Sequence, residues 1–224
     1  MDALIFDFDG VVVDSEPVHL MCFRRVLETV GVELSDSDYY ERYLGYDDRD
    51  CLKIAARDAG VDLDEERIAR LTAEKTALVQ RAFAESLQPL PGAVELIRAA
   101  AAADVALGVC SGALREEIVL ASRTLGVLDC FRAIVPAEDV ARGKPDPEGY
   151  LKVRERLAAV TGREMLPARC VAVEDSPAGI DAARAAGMKV LAVTNSYSAA
   201  RLEEADRVVD SLANVTLRSL EELL

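Results

Sequence analysis

Asp7 and Asp9, separated by Phe8 and followed by Gly10, are the residues best suited to do chemistry. The run Leu4-Ile5-Phe6 before them is apolar and β-favouring, so it reads as a strand that the two acids interrupt. Side chains along a strand alternate, so on that reading both carboxylates point to the same side. Two carboxylates so close repel each other and would cost stability in an ordinary core. A divalent cation removes the conflict, and hard oxygen ligands suit magnesium. Gly10 then permits a turn where a side chain would obstruct. A plainer alternative is a β-hairpin, because Asp9-Gly10 between apolar runs is a type I′ turn signal. The hairpin accounts for Asp9 and Gly10 but leaves Asp7, between Phe6 and Phe8, unexplained.

Positioning these acids falls to the elements around them. Pro17 suits the first turn of a helix with Asp14 or Ser15 near its cap. Val18, Met21, Cys22, Val26 and Val30 continue it as a helix-period stripe that ends at Gly31. Further helices are predicted over Ser35–Leu44, with Asp38 in capping-box position, and over Asp47–Ala59 and Asp64–Ser86. Pro89-Leu90-Pro91-Gly92 then punctuates the chain and the pattern changes. Helices over Ala93–Ala103, Leu114–Leu125, Pro147–Val160, Ala178–Ala186 and Leu217–Leu224 alternate with strands. The strands are Val105–Cys110, Phe131–Val135, Cys170–Val173, Lys189–Val193 and an edge strand Arg207–Val209. Such alternation implies a parallel sheet covered on both faces by helices. The expected organisation is an α/β core made of residues 1–15 and 89–224, with a helical domain, residues 16–88, inserted after the first strand.

Composition narrows the partners. The 224 residues are 51% hydrophobic and 29% charged, which suits a soluble protein of one large or two smaller domains. A net charge of −14 repels nucleic acids and anionic membranes, while a local cation and a lysine can still admit a small phosphorylated substrate. The five cysteines form no CxxC pair and sit mostly in apolar runs, as buried reduced thiols of a cytoplasmic protein do. No signal segment and no apolar run of membrane-spanning length is present in the sequence. His19, the only histidine, excludes a multi-histidine zinc site and argues against a Ser-His-Asp triad.

Open parallel sheets bind ligands beyond the carboxyl ends of their strands. Reading those ends collects Asp7 and Asp9, Ser111-Gly112, and Glu174-Asp175-Ser176, with Gly143-Lys144-Pro145-Asp146-Pro147 ahead of a helix. Each piece has a plain alternative. Ser111-Gly112 also reads as a helix cap, Lys144 as a solvated loop lysine, and Glu174-Asp175-Ser176-Pro177 as a capped helix start. Taken together, those alternatives leave Asp7 without a purpose.

Asp7-Phe8-Asp9-Gly10, Ser111, Lys144 and Glu174-Asp175, in that order, resemble the four motifs of the haloacid dehalogenase superfamily across essentially the whole chain. The resemblance implies a Rossmann-like doubly wound parallel sheet with an inserted α-helical cap. It further implies phosphoryl transfer through an aspartyl phosphate on Asp7, with Asp9 as general acid and base, Ser111 donating to a phosphoryl oxygen and Lys144 offsetting charge. The implied cofactor is Mg²⁺, held by Asp7, the Asp9 backbone carbonyl and Asp175, with Glu174 nearby or coordinating. Dehalogenases and phosphonoacetaldehyde hydrolases of the superfamily lack the second aspartate, so Asp9 argues against both, the latter despite the cap lysines Lys53 and Lys75.

Within the superfamily the chain is similar to β-phosphoglucomutase and to small sugar-phosphate phosphatases. His19 and Lys75 stand at positions matching the mutase, and Arg49 lies one residue from its phosphate-gripping arginine. After Ser111-Gly112 the mutase pattern Ser-Lys-Asn is replaced by Ala113-Leu114-Arg115, although Arg115 could itself serve a phosphate. The expected activity is therefore magnesium-dependent hydrolysis of a small phosphorylated metabolite, a sugar phosphate. A β-phosphoglucomutase-like mutase is the alternative, and a non-catalytic binding protein a remote one. The cap is expected to close on substrate about Asp14–Pro17 and Gln88–Gly92, and the protein to be a monomer or weak dimer.

Overall fold

The computed structural model describes residues 1–43, 46 and 48–224. The chain divides into two compact units, one made of Met1–Asp14 with Leu87–Leu224 and the other of Ser15–Ser86. The larger unit is entered through β1 (Ala3–Phe6).

Ser15–Ser86 is helical. It contains α1 (Glu16–Glu28), α2 (Asp36–Asp38), α3 (Asp48–Asp58) and α4 (Glu65–Ser86). Pro17 occupies the first turn of α1, where its missing N–H costs nothing. The helix expected over Ser35–Leu44 is cut down. One α turn is capped by Ser35, which accepts from Asp38 N, and a π-type turn follows over Tyr39–Tyr43. Ser35 Oγ also bonds the Asp38 carboxylate at 2.6 Å, so the two side chains close on each other. Leu44 and Asp47, expected helix ends, lie outside the described residues. Leu20, Phe23, Leu27, Leu52, Ile68 and Leu71 lie among the buried side chains of this unit's own core.

The remainder alternates helix and strand: α5 (Ala93–Ala102), β2 (Ala106–Cys110), α6 (Arg115–Thr124), β3 (Ala133–Val135), α7 (Glu148–Thr161), β4 (Cys170–Glu174), α8 (Pro177–Ala185), β5 (Lys189–Val193), β6 (Arg207–Val209) and α9 (Leu217–Glu221). Among the described residues these strands form one six-stranded sheet in the order β3-β2-β1-β4-β5-β6, with every pairing parallel. All residues of β1, β2 and β4 are buried, as strands covered on both faces must be. The expected fold class is therefore observed, a doubly wound α/β sheet with a helical insertion.

The parallel pairing of β1 with both neighbours rules out the hairpin at Asp9-Gly10. It also corrects the alternation argument, because strand geometry ends at Phe6. Asp7 N still donates to Val173 O at 2.9 Å, but at Phe8 the backbone turns and its carbonyl accepts from Val12 N at 2.8 Å. A turn, and not the pleat, therefore sets the relation of the two aspartates. The last helix is also shorter than expected, ending at Glu221. Among the described residues no helix is long and apolar enough to cross a membrane.

Candidate active site

The register of the sheet assembles the site. Phe6 lies abreast of Val109 on β2 and of Val173 on β4. One residue further on, Asp7, Cys110 and Glu174 share a level at the carboxyl end of the three central strands. Lys144 reaches this level from the segment before α7, across a cis Lys144–Pro145 bond. Its Nζ stands 2.9 Å from Asp7 Oδ1 and 2.6 Å from Glu174 Oε1. Asp7, Glu174 and Asp175 each offer a carboxylate oxygen, and these oxygens lie within 4.8 Å of one another.

Glu174 has no solvent exposure, and its carboxylate is held by donors on both oxygens. Oε1 accepts from Lys144 at 2.6 Å and from the Tyr150 hydroxyl at 2.8 Å. Oε2 accepts from Asp175 N at 3.1 Å, Ser176 N at 3.3 Å and Ser176 Oγ at 3.1 Å. Ser176 also caps α8 by accepting from Gly179 N, with Pro177 at the first turn. The capped helix start and the acidic site are therefore one structure. Gly179 is needed because a Cβ there would overlap the Glu174 carboxylate. Gly179→Ala is expected to cost about 1–3 kcal/mol in chemical denaturation, the usual size of overpacking. An unchanged midpoint would show that Glu174 can shift freely.

The charges do not balance. Burial pushes Asp7 well above the ordinary carboxylate range, with Glu174 and Asp175 adding to the effect and Lys144 opposing it. Burial likewise raises Asp175 to about 7, with Glu174 and Asp9 contributing and Ser196 and Lys144 opposing. Lys144 is held charged above its usual value, because Asp7 and Glu174 outweigh the cost of its burial. Three largely buried carboxylates therefore face one ammonium. A hard divalent cation fits this all-oxygen, charge-deficient group. The Asp9 side chain is not part of that trio, although its charge reaches Asp175.

Sequence reading missed four contributors. Tyr150 is fully buried, its hydroxyl on Glu174 and its ring 5.4 Å from Lys144 Nζ. Ser196 Oγ donates to Asp175 Oδ2, and Asn195 Nδ2 donates to the Gly10 carbonyl at 2.8 Å. Cys110 lies beside Asp7, Lys144 and Glu174, but burial pushes its thiol up to about 12, which keeps it inert. Cys22, Cys51, Cys110 and Cys170 are buried, and Cys130 is partly exposed.

The remaining expected residues lie as follows. Ser111, buried just beyond β2, donates its N–H to Val135 O, and its Oγ accepts from Ala113 N at 3.0 Å. Gly112 faces open space. The Arg115 guanidinium is paired with Asp139 at 2.6 Å. In the helical unit, Lys75 is completely buried and spans Asp48 Oδ1 and His19 Nδ1, both at 2.6 Å, with its Nζ 4.6 Å from the Phe23 ring centre. Burial, reinforced by Lys75, lowers His19 to about 3, so the imidazole is neutral. Arg49, next to Asp48 in the chain, is paired with Glu65.

The sequence profile of the haloacid dehalogenase-like hydrolases matches residues 4–193. The chain belongs to this family. A phosphorylated carbohydrates phosphatase of Thermotoga maritima is 31% identical over 226 residues, covering all of both chains. The β-phosphoglucomutase of Bacillus subtilis is 29% identical, with 99% of this chain and 95% of that one aligned. The crystal structure of CbbY from Rhodobacter sphaeroides in complex with phosphate superposes with a TM-score of 0.86 at 26% identity, over 99% of each chain. This haloacid dehalogenase-like hydrolase is thus an enzyme whose homologues include both sugar-phosphate phosphatases and a phosphomutase.

Proposed function

We propose that the protein is a magnesium-dependent phosphatase of small sugar phosphates that works through an aspartyl phosphate. The observation that carries this reading is Asp7 at the end of the central strand, paired with Lys144 and gathered with Glu174 and Asp175. An Asp7 oxygen attacks phosphorus in line, and the bond to the leaving oxygen breaks. Asp9 gives its proton to that oxygen, then takes a proton from water as the water attacks the acyl phosphate. Inorganic phosphate leaves and the Asp7 carboxylate is restored. Lys144 stays protonated throughout and opposes the charge that collects on Asp7 and the phosphoryl oxygens. Ser111 donates to one of those oxygens.

The donors for magnesium in this scheme are Asp7, Asp175 and the Asp9 carbonyl, with Glu174 alongside. When bound, the ion supplies positive charge against the phosphoryl oxygens. His19, Arg49 and Lys75 are the proposed substrate-selecting residues of the helical unit, residues 16–88 of the expected cap.

Asp9→Asn is expected to fold and to lose roughly 10²–10⁴-fold in turnover, the usual worth of general acid–base catalysis. The loss should shrink for aryl phosphates, whose leaving groups need little protonation. Equal losses on alkyl and aryl phosphates would contradict the acid role.

Water is the proposed acceptor because Ala113-Leu114-Arg115 replaces the mutase pattern and the Arg115 side chain is engaged by Asp139. The full-length similarity to β-phosphoglucomutase favours a sugar hydroxyl as the second choice. One assay decides between them. β-Glucose 1-phosphate with catalytic glucose 1,6-bisphosphate and magnesium is expected to yield inorganic phosphate. Accumulation of glucose 6-phosphate in its place would establish the mutase. A screen of sugar and nucleotide monophosphates, read by phosphate release, then defines the substrate.

A further inference from the structure

We propose that the loop after β5 is a positioning element of the cation site, with Ser196 orienting the Asp175 carboxylate and Asn195 fixing the Gly10 peptide. The proposal rests on the reading of Asp7, Asp9, Glu174 and Asp175 as the magnesium site, and goes beyond it to two residues of another strand end.

Ser196 Oγ donates to Asp175 Oδ2, which stops the carboxylate from rotating about its Cβ–Cγ bond. Next to it, Asn195 Nδ2 donates at 2.8 Å to the carbonyl of Gly10, a residue 185 positions away in the chain. Gly10 completes the contact from the other side. Its φ is +73°, and a Cβ there would overlap Asp175 Oδ2 and come within 2.7 Å of Ser196 Oγ. One short loop thus ties the turn carrying Asp9 to the carboxylate at the end of β4.

The two side chains do little else for stability. Both residues are exposed, so little apolar packing depends on them. Hydrogen bonds to ligating carboxylates set ligand orientation, and losing such a partner typically costs 10–100-fold in metal affinity. Neither residue touches the reacting atoms in this scheme, so both are positioning residues.

The test is thermal unfolding of the full chain titrated with magnesium chloride. Ser196→Ala is compared with the parent, with Asn195→Ala as a second variant that breaks a different contact of the same loop. Both are expected to keep a metal-free Tm near that of the parent and to need roughly 10–100-fold more magnesium for half of the Tm rise. Ser196→Thr keeps the hydroxyl and is expected to keep the parent's midpoint. Turnover of Ser196→Ala should recover at saturating magnesium. Unchanged magnesium midpoints in both Ala variants would overturn the proposal, as would a fall in metal-free Tm without a midpoint change. A Thr variant as weak as the Ala variant would remove the hydroxyl from the argument. A parent protein whose Tm ignores magnesium would overturn the metal reading itself, and the proposal with it.

Discussion

Asp7→Asn is expected to leave a folded protein whose turnover has dropped by roughly 10⁶-fold, the scale of a lost nucleophile. An amide matches the carboxylate in shape but cannot attack phosphorus at a useful rate. The electrostatics make the substitution a clean one. Asp7 is buried beside Glu174 and Asp175, and its carboxyl is pushed well above the ordinary range. Its charge is therefore a burden on the metal-free fold, and a neutral isostere relieves it. Lys144 keeps Glu174 as a partner at 2.6 Å. The metal-free Tm of Asp7→Asn at pH 7 should thus equal or exceed that of the parent, while phosphoenzyme formation and phosphate release both vanish. Activity above about 1% in the folded variant would remove Asp7 as the nucleophile.

Withdrawal of magnesium is expected to be nearly as damaging, costing about 10³-fold or more, since charge stabilisation of this kind supplies several kcal/mol. Asp7, Glu174 and Asp175 gather around one lysine with their charge unbalanced. A phosphate added to that group without compensation would be repelled. Stability provides an independent measurement. Asp175 is raised from 3.8 to about 7, so the folded metal-free protein holds a proton that the unfolded chain has released in that interval. Metal-free stability should fall as pH rises from about 4 to about 7. Saturating magnesium should offset that fall, adding about 2.7 kcal/mol at a hundredfold excess over its dissociation constant. Calcium should bind without comparable turnover, because it accepts both oxygens of a carboxylate where magnesium insists on octahedral geometry. Full activity after exhaustive chelation, with a flat pH profile of stability, would contradict the whole electrostatic account.

The sequence alone determined the order and kind of the elements of the α/β unit. Lys189–Val193 and Arg207–Val209 have the limits that local pattern assigns them, and the other strands of that unit differ by a residue or two. The reason is local: apolar runs of strand length, bounded by Gly and Pro, leave few options in a sheet buried on both faces. Local pattern also picked out Asp7, Glu174 and Asp175, because acids at strand ends have no apolar partner to explain them; Lys144, which by itself reads as a solvated loop lysine, was singled out only together with them and by the resemblance to the family's motifs. The Asn195-Ser196 pair was available by the same logic, since only Thr194 separates it from β5, but nothing in two small polar residues distinguishes a loop from a site.

Tertiary structure decided what side chains do once they meet. That Asp7 and Asp9 are separated by a turn and not by a pleat follows from Phe8 O capturing the backbone of residues 11–13. That Tyr150 serves Glu174 follows from how α7 lies against the sheet, an interaction between residues 24 positions apart in the chain. Lys75 shows the same point in the helical unit. In sequence it is one basic residue among four on a charged helix, with Arg67, Arg70 and Arg81, and only folding buries it between Asp48 and His19. The common cause is that a hydrogen bond between distant residues depends on register and packing angle, whereas helix and strand depend on neighbours a few residues away.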